Sequence, residues 1–186
     1  MANPNKVMFG LKNVHYATVT VGTNTVTYGT PVAWEGAVSL SLDAEGDTND
    51  FYADNVKYFT AIANNGYSGD FESAMIPDSF KTDIMGETAG TGAKTGMMFE
   101  DASVQPKAFA LMFEFDGDQN ATRYVLYNCK MSRPSIESST TEDGIEVQTV
   151  SGEVTASPRA FDSIVKAVCA STAATAYTNW YTAVQA

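Results

Sequence analysis

The sequence has few of the residues on which enzyme and metal chemistry most often depends. It contains one histidine, His15, and two cysteines, Cys129 and Cys169, among 186 residues. A histidine-based nucleophilic site would have to be built on His15, which lies in an alternating stretch where a packed or edge position is expected. The cysteines and the histidine have no usable zinc-ligand spacing. We expect the two cysteines to be buried thiols rather than a disulfide.

Long apolar runs and basic residues are also scarce. No stretch of about 18 consecutive apolar residues occurs, so we expect no membrane-spanning helix. Residues 1–14 lack the apolar region that a signal peptide needs, so the protein is expected in a cytoplasm, at least at first. The 11 Lys and Arg residues face 22 Asp and Glu residues, which gives a net charge of -11 and a pI near 4.3. This balance argues against binding nucleic acid by phosphate neutralisation.

Three segments resemble functional motifs but lack an essential part of each. "GTGAKTG" has Ala93 where a phosphate-binding loop needs a glycine directly before its lysine. "DAEGDTND" resembles a calcium loop, but its Gly46 falls two places early and no glutamate closes it. The acidic residues occur in turns, loops or solvated strand faces, where no carboxylate pair for glycoside hydrolysis is formed. We therefore expect no catalytic activity, no cofactor and no metal. The acidic residues Asp43, Asp47 and Asp50 are the ones on which a hydrolase activity would otherwise depend.

What the sequence does contain is the alternation of β-strands. Three stretches have apolar residues at every second position, which is typical of strands with at least one buried face. These stretches are residues 15–21, 37–43 and 109–115. In the second stretch, Val38, Leu40 and Leu42 are predicted to face the core. Their neighbours Ser39 and Ser41 are predicted to face solvent.

One hairpin and one short helix are also predicted. Asp116-Gly117 supplies a turn after the third alternating stretch, and a second apolar strand follows it up to residue 129. In residues 76–86, Asp78 can cap a helix and Gly86 can end it, with Phe80 one turn from Ile84. Residues 173–186 are a second helical candidate. Residues 163–170 fit a helix or a strand, and we favour the strand.

The whole chain is interpreted as one domain, residues 1–186. It is predicted to be mainly β: an antiparallel β-sandwich or small barrel with one short flanking α-helix. Residues 1–12 are predicted to be an N-terminal arm, residues 43–55 a long inter-strand loop, and residues 159–186 a C-terminal extension.

Residues 141–158 predict a strand whose apolar phase slips. Ile145 and Val147 share one parity and are assigned to the core, whereas Val150 and Val154 share the other. Gly152 occupies a place where a strand normally has a side chain. A strand this polar, broken in phase, is expected to have one face that does not belong to the core of its own molecule.

Ordered segments along the chain resemble one protein family. The first half contains "YGTPVAWEGAVSLSLD", "FYADNVKYF" and "GYSGDFESAMIPDSFKTDIMG". The second half contains "KAFALMFEF", "YVLYNCKMSRPSIESSTTEDGIEVQTVSGEVTASPR" and a final Tyr-x-x-Trp-Tyr segment. In order and spacing these segments resemble major tail tube proteins of long, flexible-tailed bacteriophages of the siphovirus type. The resemblance covers nearly the whole chain and is weakest from Asp162 onwards.

The resemblance implies a structural virion protein without enzymatic activity or cofactor. Subunits of this family form hexameric rings in which neighbouring inner sheets continue into one barrel around a lumen. The rings stack around a tape-measure protein, with tail terminator and baseplate proteins at the ends, into the tail tube. Double-stranded DNA then passes through the tube without specific binding. Assembly would take place in the host cytoplasm, and no membrane partner is implied.

Two sets of surface residues follow as hypotheses. Polar strand positions predicted to face the lumen are Ser39, Ser41, Glu146 and Gln148. The long acidic loop has adjacent aromatic residues, which suit an interface better than solvent. Residues predicted to contact the next ring are Phe9, Leu11, Asp47, Asp50, Phe51 and Tyr52.

Two other functions stay open. One is a tube protein of a related contractile or secretion system with the same fold. The other is a monomeric β-sandwich binding module, for example for carbohydrate, in which Trp34, Tyr67 and Trp180 would form an exposed aromatic platform.

Overall fold

The computed structural model describes residues 7–23, 25–140 and 147–186. In this part of the chain the elements are mostly strands, and every strand pairing is antiparallel. The strands are β1 (Leu11–Val21), β2 (Val26–Tyr28), β3 (Val32–Ala33), β4 (Ala37–Glu45), β5 (Thr48–Ala53), β6 (Val56–Ile62), β7 (Gly66–Ser73), β8 (Thr88–Ala89), β9 (Met98–Phe99), β10 (Phe109–Phe115), β11 (Arg123–Met131), β12 (Val150–Ala156) and β13 (Lys166–Cys169). The helices are α1 (Asp78–Phe80), which continues as a π-helical turn (Lys81–Met85), a 3-10 turn (Gly92–Lys94) and α2 (Ala174–Thr178). The predicted mainly β, antiparallel class with a short flanking helix is confirmed.

Nine strands form one open sheet in the order β2-β1-β10-β11-β12-β7-β4, with β3 beside β1 and β13 beside β11. Because neighbouring strands are antiparallel, β4, β10 and β12 run in the same direction. We call the end of the sheet at which β4 and β10 finish, near Glu45 and Phe115, the hairpin end. The opposite end, near Ser73, Met131 and Val150, is called the groove end.

Apolar side chains cover one face of the sheet and, at β1, β10, β11 and β13, the other face as well. On one face Tyr16, Trp34, Phe71 and Phe80 belong to a large cluster with almost no solvent exposure. On the other face a smaller cluster includes Trp180. The central strand β10 is therefore buried on both faces rather than half-buried, because α1 covers one face and the C-terminal segment covers the other.

The predicted helix is present and packs against the larger cluster. Phe80 and Ile84 are fully buried, and Gly86 ends the helix with φ 79°. Asp78 is the first helical residue and makes no capping hydrogen bond, contrary to the prediction. Its carboxylate instead accepts a hydrogen bond of 2.8 Å from Lys81.

The prediction that Val38 faces the core is wrong. The register between β4 and β7 shifts between Ala37 and Ser39, so Val38 is the extra residue of a bulge and is 49% exposed. Ala37, Leu40 and Leu42 pack against the larger cluster, so the alternation holds from Ser39 onwards.

The phase slip in residues 141–158 marks the start of a strand. β12 begins at Val150, and Val150, Gly152 and Val154 share the core-facing parity. Val147 precedes the strand and is 81% exposed, so its assignment to the core is wrong. Ile145 lies outside the described residues. At Gly152 an added Cβ would lie 2.4 Å from the end of the Met131 side chain, which would have to move to accept it.

Residues 43–55 are not a loop. They contain the end of β4, the strand β5 and the Asp54-Asn55 turn, whose residues both have positive φ. The predicted arm is also shorter than residues 1–12, because β1 starts at Leu11. In both places backbone pairing gives the chain a regular structure that its side-chain pattern does not show.

The C-terminal extension is folded onto the sheet. Residues 166–169 form β13, which confirms the strand interpretation, and α2 follows. Cys129 and Cys169 are buried free thiols, as predicted. In the described residues, no helix has the length and apolar character needed to cross a membrane.

Candidate assembly surfaces

The strands β4 and β7 extend beyond the sheet as a two-stranded ribbon. Two backbone hydrogen bonds continue their pairing past Glu45: Asn65 N donates to Glu45 O at 2.8 Å, and Ala63 N donates to Asp47 O at 2.9 Å. β5 then pairs with β6 around the Asp54-Asn55 turn. Almost every residue of β5 and β6 is exposed. We call this projection, residues 48–62, the β5–β6 hairpin.

The register of the β5–β6 hairpin gives it two different faces. Phe51 pairs with Phe59 and Ala53 with Val56, so these side chains share one face. The apolar-face positions are Asn49, Phe51, Ala53, Val56, Phe59 and Ala61. The polar-face positions are Thr48, Asp50, Tyr52, Lys57, Thr60 and Ile62, and Tyr58 is the extra residue of a bulge.

Charges on the polar face are already paired within the hairpin. Lys57 Nζ lies 2.7 Å from an Asp50 carboxylate oxygen, and Thr60 donates a 2.8 Å hydrogen bond to the other oxygen. The apolar face has no such internal partner: Phe51 and Phe59 are each 60% exposed. The polar face also exposes Tyr52 and Ile62, but only the apolar face carries a cross-strand pair of exposed phenyl rings.

The predicted inter-ring residues fall into two groups. Asp47, Asp50, Phe51 and Tyr52 lie at the base or on the strands of the hairpin, but Phe51 and Tyr52 point to opposite faces. Phe9 and Leu11 lie at the same hairpin end of the sheet, four strands away.

Phe9 and Leu11 both contact their own chain. The Phe9 ring lies over Gly117, whose backbone N–H donates to Phe9 O at 2.9 Å. Leu11 pairs with Phe115 and packs at the edge of the larger cluster. Phe9 still exposes 63% of its surface, whereas Leu11 is half-buried.

A second surface is the solvent face of β4, β7 and β12. Cross-strand pairing puts Ser41, Asp70 and Glu153 in one row across the three strands. The rows on either side follow the same pairing. The nine positions, which we call the polar sheet face, are Ser39, Ser41, Asp43, Ser68, Asp70, Glu72, Ser151, Glu153 and Thr155.

The polar sheet face is acidic. Four of its nine positions are carboxylates and none is a cation; the nearest cation in the register is Lys130, opposite Thr155. Hydrogen bonds from Thr149 and from Ser39 hold the pKa of Glu72 below its ordinary value, so this carboxylate is ionised at neutral pH.

The predicted lumen residues are not all on this face. Ser39 and Ser41 belong to it and are exposed. Gln148 is exposed but precedes β12, and its side chain donates to Ser139 at 3.3 Å. Glu146 lies outside the described residues.

The strand β4 has one backbone edge without a partner among the described strands, although part of β4 lies close to β1. In the described part of the chain it hydrogen-bonds to β7 along one side, and it ends the sheet order on the other. Its nine residues make it far longer than the other marginal strands β2, β3 and β13. Long free edges readily add a strand from another chain.

A third surface is an apolar groove at the groove end, with a volume of about 370 Å³. It lies between the helical turn that follows α1 and the segment that follows β11. Its apolar lining consists of Met75, Ile76, Met85, Pro134, Ile136 and Val150. Two cations at its rim are paired: Lys81 with Asp78 and Arg133 with Glu100, each at 2.8 Å.

His15 and Cys129, two residue types that often take part in catalysis or metal binding, make packing contacts within the fold. His15 stacks on Tyr181 with ring centroids 4.3 Å apart, and its Nδ1 lies 2.9 Å from Asn13 O. Burial raises the pKa of the Cys129 thiol to about 12. No cluster of three potential metal-ligating side chains occurs among the described residues.

The proposed aromatic platform for a carbohydrate is not formed. Trp34 and Trp180 are 3% and 2% exposed and belong to the two separate clusters. Tyr67 is half-buried, with Lys166 4.7 Å above its ring. These aromatic side chains fill the interior rather than offering a binding surface.

Comparisons with known proteins find similarity among solved structures. No protein-family model matches the chain, and no curated protein matches it. Among solved structures, the chain is similar to the cap of the anti-feeding prophage, described as the tube-terminating cap and determined by cryo-EM. The TM-score is 0.43 at 11% identity, and the alignment covers 91% of this chain and 97% of that chain.

Proposed function

We propose that this chain is a structural virion protein that forms hexameric rings, which stack into a phage tail tube. The observation that carries the proposal is the free edge of β4 beside the polar sheet face. Strand addition at this edge would continue the sheet from one subunit into the next. A ring closed in this way leaves no free edge and gives the polar sheet face a continuous surface.

The charge of the polar sheet face suits the wall of a DNA conduit. Under this proposal the face lines the lumen, with Ser39 and Ser41 among its residues. Phosphates that pass within a Debye length of about 8 Å interact directly with wall charges. A basic wall would bind the DNA by counterion release and slow it, whereas four carboxylates without a cation repel it.

The β5–β6 hairpin is assigned to ring stacking. Six residues of β5 at about 3.3 Å each extend the ribbon by roughly 20 Å past the base of the hairpin, and we propose that this length reaches a neighbouring ring. Phe9 lies at the same end of the sheet and would join this contact. Inside the tube we propose a tape-measure protein during assembly, and at its ends terminator and baseplate proteins.

Negative-stain microscopy of the purified protein tests the assembly. We expect rings and tubes with a central channel from the parent protein at high concentration. A shortened variant, in which Asn-Gly joins Asp47 to Ala63 in place of residues 48–62, should keep the circular dichroism spectrum and the melting temperature of the parent. The hairpin buries almost nothing of its own, so its removal should abolish tubes and leave rings or monomers.

Three results would contradict the proposal. A parent protein that stays monomeric at every concentration would favour a binding module. Rings that never extend would indicate a different component of a tail-like particle. Tubes whose density map places Ser39 and Ser41 on the outer wall would refute the assignment of the lumen.

A further inference from the structure

We propose that the apolar groove at the groove end receives the apolar face of the β5–β6 hairpin from a second copy of this chain. The inference rests on the proposed tube function and adds the two surfaces that meet when rings stack. It also predicts that only one face of the hairpin is buried in the contact.

The two surfaces lie at opposite ends of the same strand. β7 starts at the hairpin and finishes beside Met75 in the groove, eight residues or about 26 Å later. A contact between different patches at opposite ends of a molecule is heterologous and repeats without limit when it does not close on itself. Copies related by a shift along the strands would therefore form an open-ended stack.

The sizes of the two surfaces agree. A dry apolar cavity of about 150 Å³ holds one benzene ring, so a groove of about 370 Å³ has room for roughly two phenyl rings. The hairpin presents one such pair, because Phe51 and Phe59 are cross-strand partners on its apolar face. Val56 and Ala61 extend the same face on either side of the pair.

The two cations at the groove and the Asp50 carboxylate of the hairpin are paired, whereas two carboxylates of the groove lining, Glu87 and Glu137, have no ion pair among the described residues. Lys81 and Arg133 at the groove rim already pair with Asp78 and Glu100. Asp50 of the hairpin pairs with Lys57 on the face that points away from the groove. Burial of an unpaired charge would oppose docking strongly, so the contact requires Glu87 and Glu137 to stay at the solvated rim with the ion pairs.

The area of the contact predicts the order of assembly. Phe side chains bury roughly 150–250 Å² each, so two that are 60% exposed offer about 180–300 Å². A stable interface needs about 800 Å² per partner. A single hairpin is therefore too small to join two monomers, but several acting together can join two rings. Rings must form before they stack.

Disulfide trapping tests which face enters the groove. Ala61→Cys lies on the apolar face, its neighbour Thr60→Cys lies on the polar face, and Met75→Cys lies in the groove, where Met75 is 72% exposed. The two native cysteines are buried and should not compete. After mixing and mild oxidation, we expect about tenfold more disulfide between A61C and M75C than between T60C and M75C, because apposition raises the effective concentration.

A pair of tube-assembly variants gives an independent readout. F51S/F59S removes the aromatic pair of the apolar face, and Y52S removes an equally exposed aromatic of the polar face. We expect rings without tubes from F51S/F59S and normal tubes from Y52S. Normal tubes from F51S/F59S, or equal trapping by both hairpin cysteines, would overturn the docking proposal.

The outcomes separate the docking proposal from the proposed function. Tubes from the parent without an A61C–M75C disulfide would refute the docking site and leave the tube function intact. An A61C–M75C disulfide at high concentration without tubes would support the docking site and count against the tube function. If neither tubes nor the A61C–M75C disulfide form, the docking site and the tube function are both refuted.

Discussion

Arg123 holds the C-terminal segment against the sheet, and its replacement tests how much that contact stabilises the fold. Its guanidinium Nε donates to Glu114 at 3.1 Å, and a second nitrogen donates to Tyr177 O at 2.5 Å. The group also lies 3.8 Å from the centre of the Tyr177 ring and 4.8 Å from that of Tyr181. Asn13 donates to the other Glu114 oxygen.

The expected loss follows from the burial of this ion pair. The side chains of Arg123 and Glu114 are only 18% and 8% exposed. Arg123→Met leaves the Glu114 carboxylate buried without its cation, which typically costs about 3–5 kcal/mol. For a chain of this length 1 kcal/mol shifts the melting temperature by about 2–4 °C, so we expect a decrease of roughly 6–20 °C.

Thermal unfolding of four proteins tests this reasoning. R123M should show the full decrease, and R123M/E114Q should recover part of it because no unpaired charge remains. Lys12→Met breaks the exposed pair with Asp116 and is the matched control, expected to melt with the parent. If R123M melts within about 2 °C of the parent, or if R123M/E114Q melts no higher than R123M, the ion pair does not anchor the segment.

Two further predictions concern a backbone position and a thiol. Gly66→Ala should destabilise the fold well beyond Gly92→Ala, by denaturant titration, because Gly66 has φ 111° and an added Cβ would lie 1.9 Å from Ala156 O. Gly92 also has positive φ but open space around it, so its replacement should cost only about 1–2 kcal/mol; equal losses would contradict the steric reason. Cys129, with its pKa raised to about 12 by burial, should not react with a thiol reagent at pH 8 until the protein unfolds. Rapid modification of Cys129 in the folded state, identified by peptide mass spectrometry, would show that its surroundings open.

The parts of the fold that are predictable from sequence are those in which local chemistry and burial agree. The β10–β11 hairpin has Phe113 and Phe115 at period two before Asp116-Gly117 and an apolar strand after it, and the two strands pair as predicted. The helix after residue 77 ends at Gly86, as its left-handed conformation requires. In both cases the residues that form the element also face the core.

The β5–β6 hairpin could not be recognised by alternation because both of its faces are solvated in a single chain. Its apolar face includes Asn49, its polar face includes Tyr52 and Ile62, and the bulge at Tyr58 shifts the phase of β6. One signal was available: Asp54-Asn55 between two aromatic segments is a two-residue turn sequence, and both residues have positive φ. The docking groove had no such signal, because Met75, Met85 and Pro134 come from separate segments.

Under the proposed function, the unpaired edge of β4 and the β5–β6 hairpin make contacts of unequal strength, and this difference sets the sequence of assembly. The free edge of β4 can form main-chain hydrogen bonds along nine residues, a contact that two subunits can make alone. The hairpin offers only a few hundred Å² of apolar area, which becomes effective when one ring presents several hairpins to another. The polar sheet face makes no contact between subunits in this arrangement and forms the wall of the lumen. Subunits with these contacts should form closed rings before the rings stack into a tube. Dilution should therefore separate tubes into rings before it separates rings into monomers.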